Sequence, residues 1–210
     1  MVASDAVVFV IDDDEDVRLG LKGLLESLGM TCELFRSTHE FLERQRPDCP
    51  SCLVLDVRMP GANGLDFQAE LAAAQIKIPV IFISGHGDIP MTVKAMKAGA
   101  VAFFSKPLHE QDLLDAVNTA LERDRLRRER EISVNALRAR YDALTPRERE
   151  VMAMVTAGKL NKQTAAAIGL SEVTVKVHRH NLMKKMGVTS LPDLVRLADA
   201  LGLADAKRLG

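Results

Sequence analysis

The chain has too few cysteines, in the wrong number, for a disulfide framework: Cys32, Cys49 and Cys52 are an odd set. Cys49-Pro50-Ser51-Cys52 has the spacing of a redox pair and nothing more, because no cluster of metal-binding partners accompanies it. Cys52 opens the apolar run Cys52 to Leu55, which reads as a buried strand, so a packed core thiol is favoured over redox chemistry. No run of about eighteen apolar residues is available to cross a bilayer, and Met1 to Asp5 has neither a basic stretch nor a long apolar core before a cleavage site. The expectation is a soluble, cytoplasmic protein with no membrane partner. Net charge is nearly absent as well, at −1.

That near-neutral total hides an asymmetry. Residues 1–120 hold 18 acidic and 10 basic side chains, a balance of −8, while residues 121–210 hold 11 acidic and 18 basic ones, a balance of +7. At 210 residues the chain suits two units of about 100 residues each. Opposite charge on the two halves predicts different partners, and a polyanion such as nucleic acid fits the second.

In the first half, Val7 to Ile11 is a continuous run of β-formers that ends in Asp12, Asp13 and Asp14. Helical spacing follows at Val17, Leu21, Leu24, Leu25 and Leu28, stopped by Gly29. The alternation continues through a strand at 31–35, a helix opened by the capping box Ser37-Thr38-His39-Glu40, a strand at 52–57 and a helix near 64–74. A strand at 79–84, a helix near 89–97, a strand at 100–105 and a helix from near His109 complete it. Such a pattern predicts a doubly wound, five-stranded parallel sheet with helices on both faces and ligands at the carboxyl ends of the strands.

The polar residues at those ends are Asp12 and Asp13, Asp56, Ser84 and Lys106. Converging carboxylates repel unless a hard cation lies between them, and few carboxylates with open positions suit Mg²⁺ completed by phosphate oxygens. A lysine aimed at the same place binds a phosphoryl anion. The set therefore predicts phosphoryl transfer to Asp56, with Lys106 neutralising charge and Ser84 offering a hydrogen bond. Each residue alone could be bland, Asp12 to Asp16 a solvated loop and Lys106 a surface lysine; their joint order at strand ends is what carries the reading. A haloacid-dehalogenase-type phosphatase would need a second Asp two positions after the first, where Arg58 stands.

Val10-Ile11-Asp12-Asp13-Asp14, Leu55-Asp56-Val57-Arg58-Met59-Pro60-Gly61, Ile83-Ser84-Gly85-His86-Gly87-Asp88 and Phe104-Ser105-Lys106-Pro107 resemble response-regulator receiver domains, of flavodoxin/CheY-like fold. The resemblance implies that Asp13 and Asp56, with the backbone carbonyl of Arg58, ligate Mg²⁺, that Asp12 acts through water, and that Lys106-Pro107 is cis. It also implies that Asp56 takes phosphate from a sensor histidine kinase, and that Ser84 and Phe103 form a switch. Phe103 and Phe104, adjacent in a strand, must face opposite sides.

Leu121 to Arg140 lacks Pro and Gly and is dense in both charges, which predicts a helix with exposed pairs such as Arg127 with Glu131, each contributing a few tenths of a kcal/mol. Apolar residues at 121, 126, 132, 134 and 137 keep no heptad, so a solvated spacer is favoured over a coiled coil. The expected division is a receiver at 1–122, a helical linker at 123–142 and a second domain at 143–210.

In that second domain Thr145-Pro146-Arg147-Glu148 is a capping box with Pro at the first helical position, and Val151, Met152 and Val155 carry a stripe up to Gly158. A second helix, with Asn161 as its cap, ends at Gly169; a third reaches Met186 and a fourth starts at Ser190. Two short helices joined by a Gly-containing turn, the second basic on one face, make a helix-turn-helix. Leu144 to Val151, Asn161-Lys162 and Thr174-Val175-Lys176-Val177-His178-Arg179 resemble the all-α, four-helix LuxR-type domain of NarL/FixJ regulators, and the receiver stretch Gly85-His86-Gly87-Asp88-Ile89-Pro90-Met91 with the length of the linker resembles the FixJ branch. By that resemblance Lys176, Val177 and His180 face the major groove, and Thr174, Arg179, Lys184 and Lys185 are candidates for phosphate contacts. Val175, Leu182, Met183 and Met186 read as core. The implied protein is a phosphorylation-controlled transcription regulator that dimerises on promoter DNA, with RNA polymerase as a further partner. Its rivals are a DNA-binding regulator whose receiver is only structural and an enzyme acting on phosphate esters.

Overall fold

The computed structural model describes residues 6–85 and 88–203. His86 and Gly87, inside the motif Ile83 to Asp88, and the segment Met1 to Asp5, on which the expectation about a leader rested, lie outside the described residues. The chain divides into two compact units, Met1–Arg128 and Glu129–Gly210.

In chain order the first unit comprises β1 (Val7–Ile11), α1 (Glu15–Ser27), β2 (Thr31–Phe35), α2 (Thr38–Glu43), β3 (Ser51–Asp56), β4 (Arg58–Met59), β5 (Ala62–Asn63), α3 (Gly64–Ala73), β6 (Val80–Ser84), α4 (Ile89–Lys97), β7 (Ala102–Ser105) and the start of α5 (Glu110–Asp142). The main sheet is parallel, in the order β2-β1-β3-β6-β7. That is the doubly wound arrangement expected from the alternation, with β1 and β3 meeting where the connections reverse direction. Three central strands, β1, β3 and β6, are buried along their whole length, so they read as continuous apolar runs rather than alternating ones.

Two cores flank the sheet. Phe9, Phe41, Phe67 and Phe82 pack on one face, joined edge to face by Phe9–Phe41 and Phe41–Phe67. Val8, Val54, Ile81, Ile83, Leu113 and Val117 fill the other. Phe103 belongs to the first face and Phe104 to the second, as the pleat requires.

Some local expectations need correction. The box at α2 is shifted: Ser37 does accept from the Glu40 amide, but the Glu40 carboxylate accepts from the amide of Arg36 rather than that of Ser37. A two-stranded antiparallel ribbon, β4 with β5, follows the Asp56 strand; its two-residue strands are too short to leave a periodic signal. The expected linker at 123–142 is helical, as its lack of Pro and Gly predicts, but it is one with the receiver's last helix, since α5 runs unbroken from Glu110 to Asp142. Its first part is not a solvated spacer. Asp124, 1% exposed, accepts from the Ser51 amide at 3.0 Å, from Arg127 and from Arg128, which also reaches Asp48. These bonds tie residues 124–128 to the first unit.

The second unit packs the end of α5, through Leu137 and Tyr141, with α6 (Pro146–Thr156), α7 (Asn161–Ile168), α8 (Glu172–Met186) and α9 (Leu191–Ala200). The box at α6 is reciprocal, Thr145 and Glu148 each accepting from the other's amide. Gly169, at φ +68, ends α7 in the left-handed conformation that makes the tight turn into α8. Asn161 is not the cap of α7: that position is Leu160, and the Asn161 side chain instead accepts from Arg179 at 3.2 Å.

Candidate functional site

The carboxyl ends of β1, β3, β6 and β7 bring four of the expected residues together. Asp12 follows β1 and is 1% exposed; Asp56 ends β3 and is 5% exposed. Lys106 Nζ lies 2.8 Å from Asp12 Oδ2 and 3.2 Å from Asp56 Oδ1, so one ammonium serves two carboxylates. The remaining oxygens are held by the backbone: Asp12 Oδ1 accepts from the Asp14 amide and Asp56 Oδ2 from the Arg58 amide, both at 2.9 Å. Arg18 Nη1 donates to the Asp12 carbonyl at 2.6 Å. Ser84 is fully buried at the end of β6, and its carbonyl accepts from the Lys106 amide at 2.8 Å. The Lys106-Pro107 bond is cis.

The electrostatics follow from this sharing. Burial pushes the Asp56 carboxyl above its ordinary value; Lys106 pulls it back, and Asp12 pushes it up again. Burial alone would lower the Lys106 ammonium, but the hydrogen bond and charge of Asp12, followed by those of Asp56, hold it above the usual lysine value. Two carboxylates against one ammonium leave an excess negative charge that Lys106 does not cancel.

Asp13 is not part of this buried group. Its side chain is exposed on the turn between Asp12 and the α1 cap, Asp14. Among the described residues no group of three or more His, Cys, Asp or Glu side chains is set to hold a metal ion. What the strands bring together is a pair of acids with an ammonium. An uncompensated, oxygen-only donor set of this kind fits a hard divalent cation such as Mg²⁺, which binds through one or two carboxylates and keeps its other positions for water and phosphate.

Phe103 is half-buried, with its ring centroid 6.1 Å from that of Phe82. Phe82 pairs with Phe103 and Ser84 with Ser105 in the β6–β7 register, so Ser84 and Phe103 point to the same face of the sheet. Gly64 was missed by sequence reasoning. A Cβ there would meet the Asp56 carbonyl oxygen at 2.6 Å and Val57 Cα at 3.1 Å, because α3 begins hard against the end of β3 and Gly64 donates to the Val57 carbonyl. A glycine just after the Asn63 cap was its only trace in the sequence.

In the second unit, α8 buries Val175, Leu182 and Met186 and half-buries Met183 against α6 and α7. Its exposed face carries Lys176, Val177, His180 and Lys184, in line with their assigned outward direction. Val173 and Asn181 lie on the same face, each four positions from Val177, a helical spacing that could have found both. Thr174 and Arg179 are half-buried: Thr174 shares a hydrogen bond with the Ser171 hydroxyl and Arg179 donates to Asn161. Lys185 diverges from Lys184. Its ammonium donates to Glu148 Oε2 at 2.7 Å and to the Ala143 carbonyl at 3.3 Å, which makes it a structural cation.

The family model of the response regulator receiver domain matches residues 8–118, and that of the luxR family of bacterial regulatory proteins matches residues 142–198. Nodulation protein W of Bradyrhizobium diazoefficiens is 52% identical over 202 residues, spanning 96% of this chain and 89% of that protein. Among solved structures, the response regulator StyR aligns with a TM-score of 0.83 at 48% identity, covering 93% of this chain and 99% of StyR. Full-length FixJ from B. japonicum aligns with a TM-score of 0.57 at 38% identity, covering 95% of this chain and 98% of FixJ. No described helix is long and apolar enough to cross a membrane. With its strand-end acids and its basic helix-turn-helix, the chain belongs to the NarL/FixJ family of response regulators, a receiver domain followed by a LuxR-type DNA-binding domain.

Proposed function

We propose that this response regulator is a transcription factor switched by phosphorylation of Asp56, with a sensor histidine kinase as donor and promoter DNA as target. The observation that carries the reading is the pair of buried acids sharing Lys106 at 2.8 and 3.2 Å. An oxygen of Asp56 attacks phosphorus of a phosphohistidine, the P–N bond breaks, and the imidazole leaves with a proton. Lys106 neutralises charge on the transferring oxygens, and the Ser84 hydroxyl hydrogen-bonds the bound phosphoryl group. Asp12, Asp13, Asp56 and the Arg58 carbonyl would hold Mg²⁺, which when bound supplies further neutralisation at those oxygens. The deep burial of Asp12 suits contact through water better than direct reach, and the exposure of Asp13 leaves its side chain able to turn inward.

Once Ser84 is drawn to the phosphoryl group, Phe103, on the same sheet face, follows into the space it leaves. That change favours dimerisation, and two DNA-binding domains then engage paired half-sites with twice the phosphate contacts of one. The domain limits proposed from sequence, 1–122, 123–142 and 143–210, shift in this reading: the bonds of Asp124 support a receiver that includes residues 123–128. Lys176, Val177 and His180 supply base contacts, and Thr174, Arg179 and Lys184 phosphate contacts.

The test is incubation with acetyl phosphate and Mg²⁺, followed by a phosphoprotein-sensitive mobility gel and promoter binding at several salt concentrations. Wild type shifts on the gel and Asp56→Ala does not; a labelled Asp56→Ala would assign the acceptor elsewhere. DNA affinity indifferent to salt would remove the nucleic-acid reading.

A further inference from the structure

Among the described residues of α6 to α9, the only large apolar side chains left exposed are Val173 and Val177, at 70% and 53%. They stand four positions apart, about one turn of α8, and Lys176 and His180 share their face, so positions 173, 176, 177 and 180 follow the spacing of a single stripe. The buried side of the helix is taken by Val175, Leu182 and Met186, and neither exposed valine belongs to that core. Packing within the unit therefore does not account for them. An isolated apolar residue on a surface is ordinary. A pair one turn apart, set among cations, is a composite surface: charge brings a polyanion to it, and the two isopropyl groups then meet whatever the polyanion presents.

The major groove of DNA presents an uneven edge. Guanine and adenine offer N7 with an exocyclic oxygen or amine, cytosine an amine, and thymine a carbonyl oxygen beside its C5 methyl group. A valine side chain neither donates nor accepts a hydrogen bond, so against a purine edge it strips water from polar atoms and returns nothing. Against the thymine methyl both surfaces are apolar and both leave water. The valines thus favour thymine and disfavour purines. Val173 is the second residue of α8, within the N-terminal part of a recognition helix that reaches base edges. Four residues of helix rise about 6 Å and a base-pair step about 3.4 Å, which sets the two methyl groups just under two steps apart.

We propose that Val173 and Val177 are specificity-determining residues that read the C5 methyl groups of two thymines, about two base-pair steps apart, in each half-site. The inference rests on α8 being the helix that enters the groove. To that reading it adds a residue, Val173, and the chemical group that both valines recognise.

In the test, the full-length protein, treated with acetyl phosphate and Mg²⁺, selects duplexes from a fully randomised library. The enriched duplex is then resynthesised with deoxyuridine at one thymine at a time, which removes the methyl group and keeps every hydrogen-bonding group of the base. Two thymines in each half-site should each lose about fourfold in affinity, with an unchanged salt slope because no charge is removed. Val173→Ser should abolish the loss at one of them and leave it at the other, and Val177→Ser should do the reverse. Both positions are exposed and serine matches valine in helix propensity, so the variants keep the fold. The inference is overturned if no thymine of the enriched duplex loses affinity without its methyl, which would leave the valines to a protein partner, or if the losses persist undiminished in both serine variants. No enrichment at all would remove the DNA-binding reading itself, and this inference with it.

Discussion

Asp56 in the receiver and Glu148 in the DNA-binding domain are both buried carboxylates with a lysine in reach, at 3.2 Å from Lys106 and 2.7 Å from Lys185. Their surroundings differ in what is left over. Glu148 has Lys185, and its Oε2 also accepts from the Thr145 amide. Burial works against the Glu148 carboxylate, but these bonds outweigh it and hold its pKa below the ordinary glutamate value. Asp56 must share Lys106 with Asp12, and its pKa stands above the ordinary aspartate value. A satisfied acid locks a fold, whereas one left short of positive charge is prepared to receive it. The same residue types therefore make a fastener in one unit and a reactive site in the other.

The sharpest way to break the comparison is to remove the fastener. Lys185→Met leaves Glu148 buried without its ammonium, which should lower the stability of the second unit by about 2 kcal/mol, moderated because Lys185 is partly exposed. The neighbouring Lys184→Met should stay within about 0.5 kcal/mol and instead reduce the salt slope of DNA binding by about one. The chain has one tyrosine, Tyr141, and no tryptophan, so urea unfolding followed by tyrosine fluorescence reports the second unit alone. Equal losses in the two variants would remove the distinction between the lysines.

On the receiver side, Gly64→Ala forces a methyl group against the Asp56 carbonyl. We expect a loss of about 1–3 kcal/mol and slower labelling by acetyl phosphate, read by hydrogen exchange and by the mobility gel. A variant as stable and as reactive as wild type would mean that α3 recedes freely.

The smallest effect is the most diagnostic, because the two acids predict opposite responses to pH. The folded pKa of Glu148 is depressed, so its contribution is present above the ordinary glutamate value of about 4.3 and is lost as pH falls through the depressed one. Glu148→Gln should flatten the acid side of the tyrosine-detected stability curve. The folded pKa of Asp56 is raised, so its contribution is present below the ordinary aspartate value and is lost as pH rises through the raised one. At neutral pH, Asp56→Asn should therefore be more stable than wild type by roughly 1 kcal/mol, and the gap should close towards pH about 4, measured by hydrogen exchange in receiver peptides. A gap that widens in acid would reverse the assignment.

How far sequence reading reached follows the same physics. Asp12, Asp56, Ser84 and Lys106 were legible because parallel strands must end on one edge, and a residue ending a buried run has one place to be. Asp13 was not, since strand position fixes which turn a residue occupies and not which way its side chain points. The outward face of α8 followed from helical period, but Lys185 looked like any terminal lysine because Glu148, 37 positions earlier, already had a complete-looking local box. Asp124 deceived in the same manner: amid charges at helical spacing it looked like a surface acid, and its bond to the Ser51 amide, 73 positions away, leaves no local pattern. Long-range pairs of polar groups were the common omission.

That bond from Asp124 has a mechanical side. Ser51 and Asp56 are the two ends of one six-residue strand. The helix that leads into the second unit is thus fastened, at Asp124, to the opposite end of the strand whose last residue Lys106 grips.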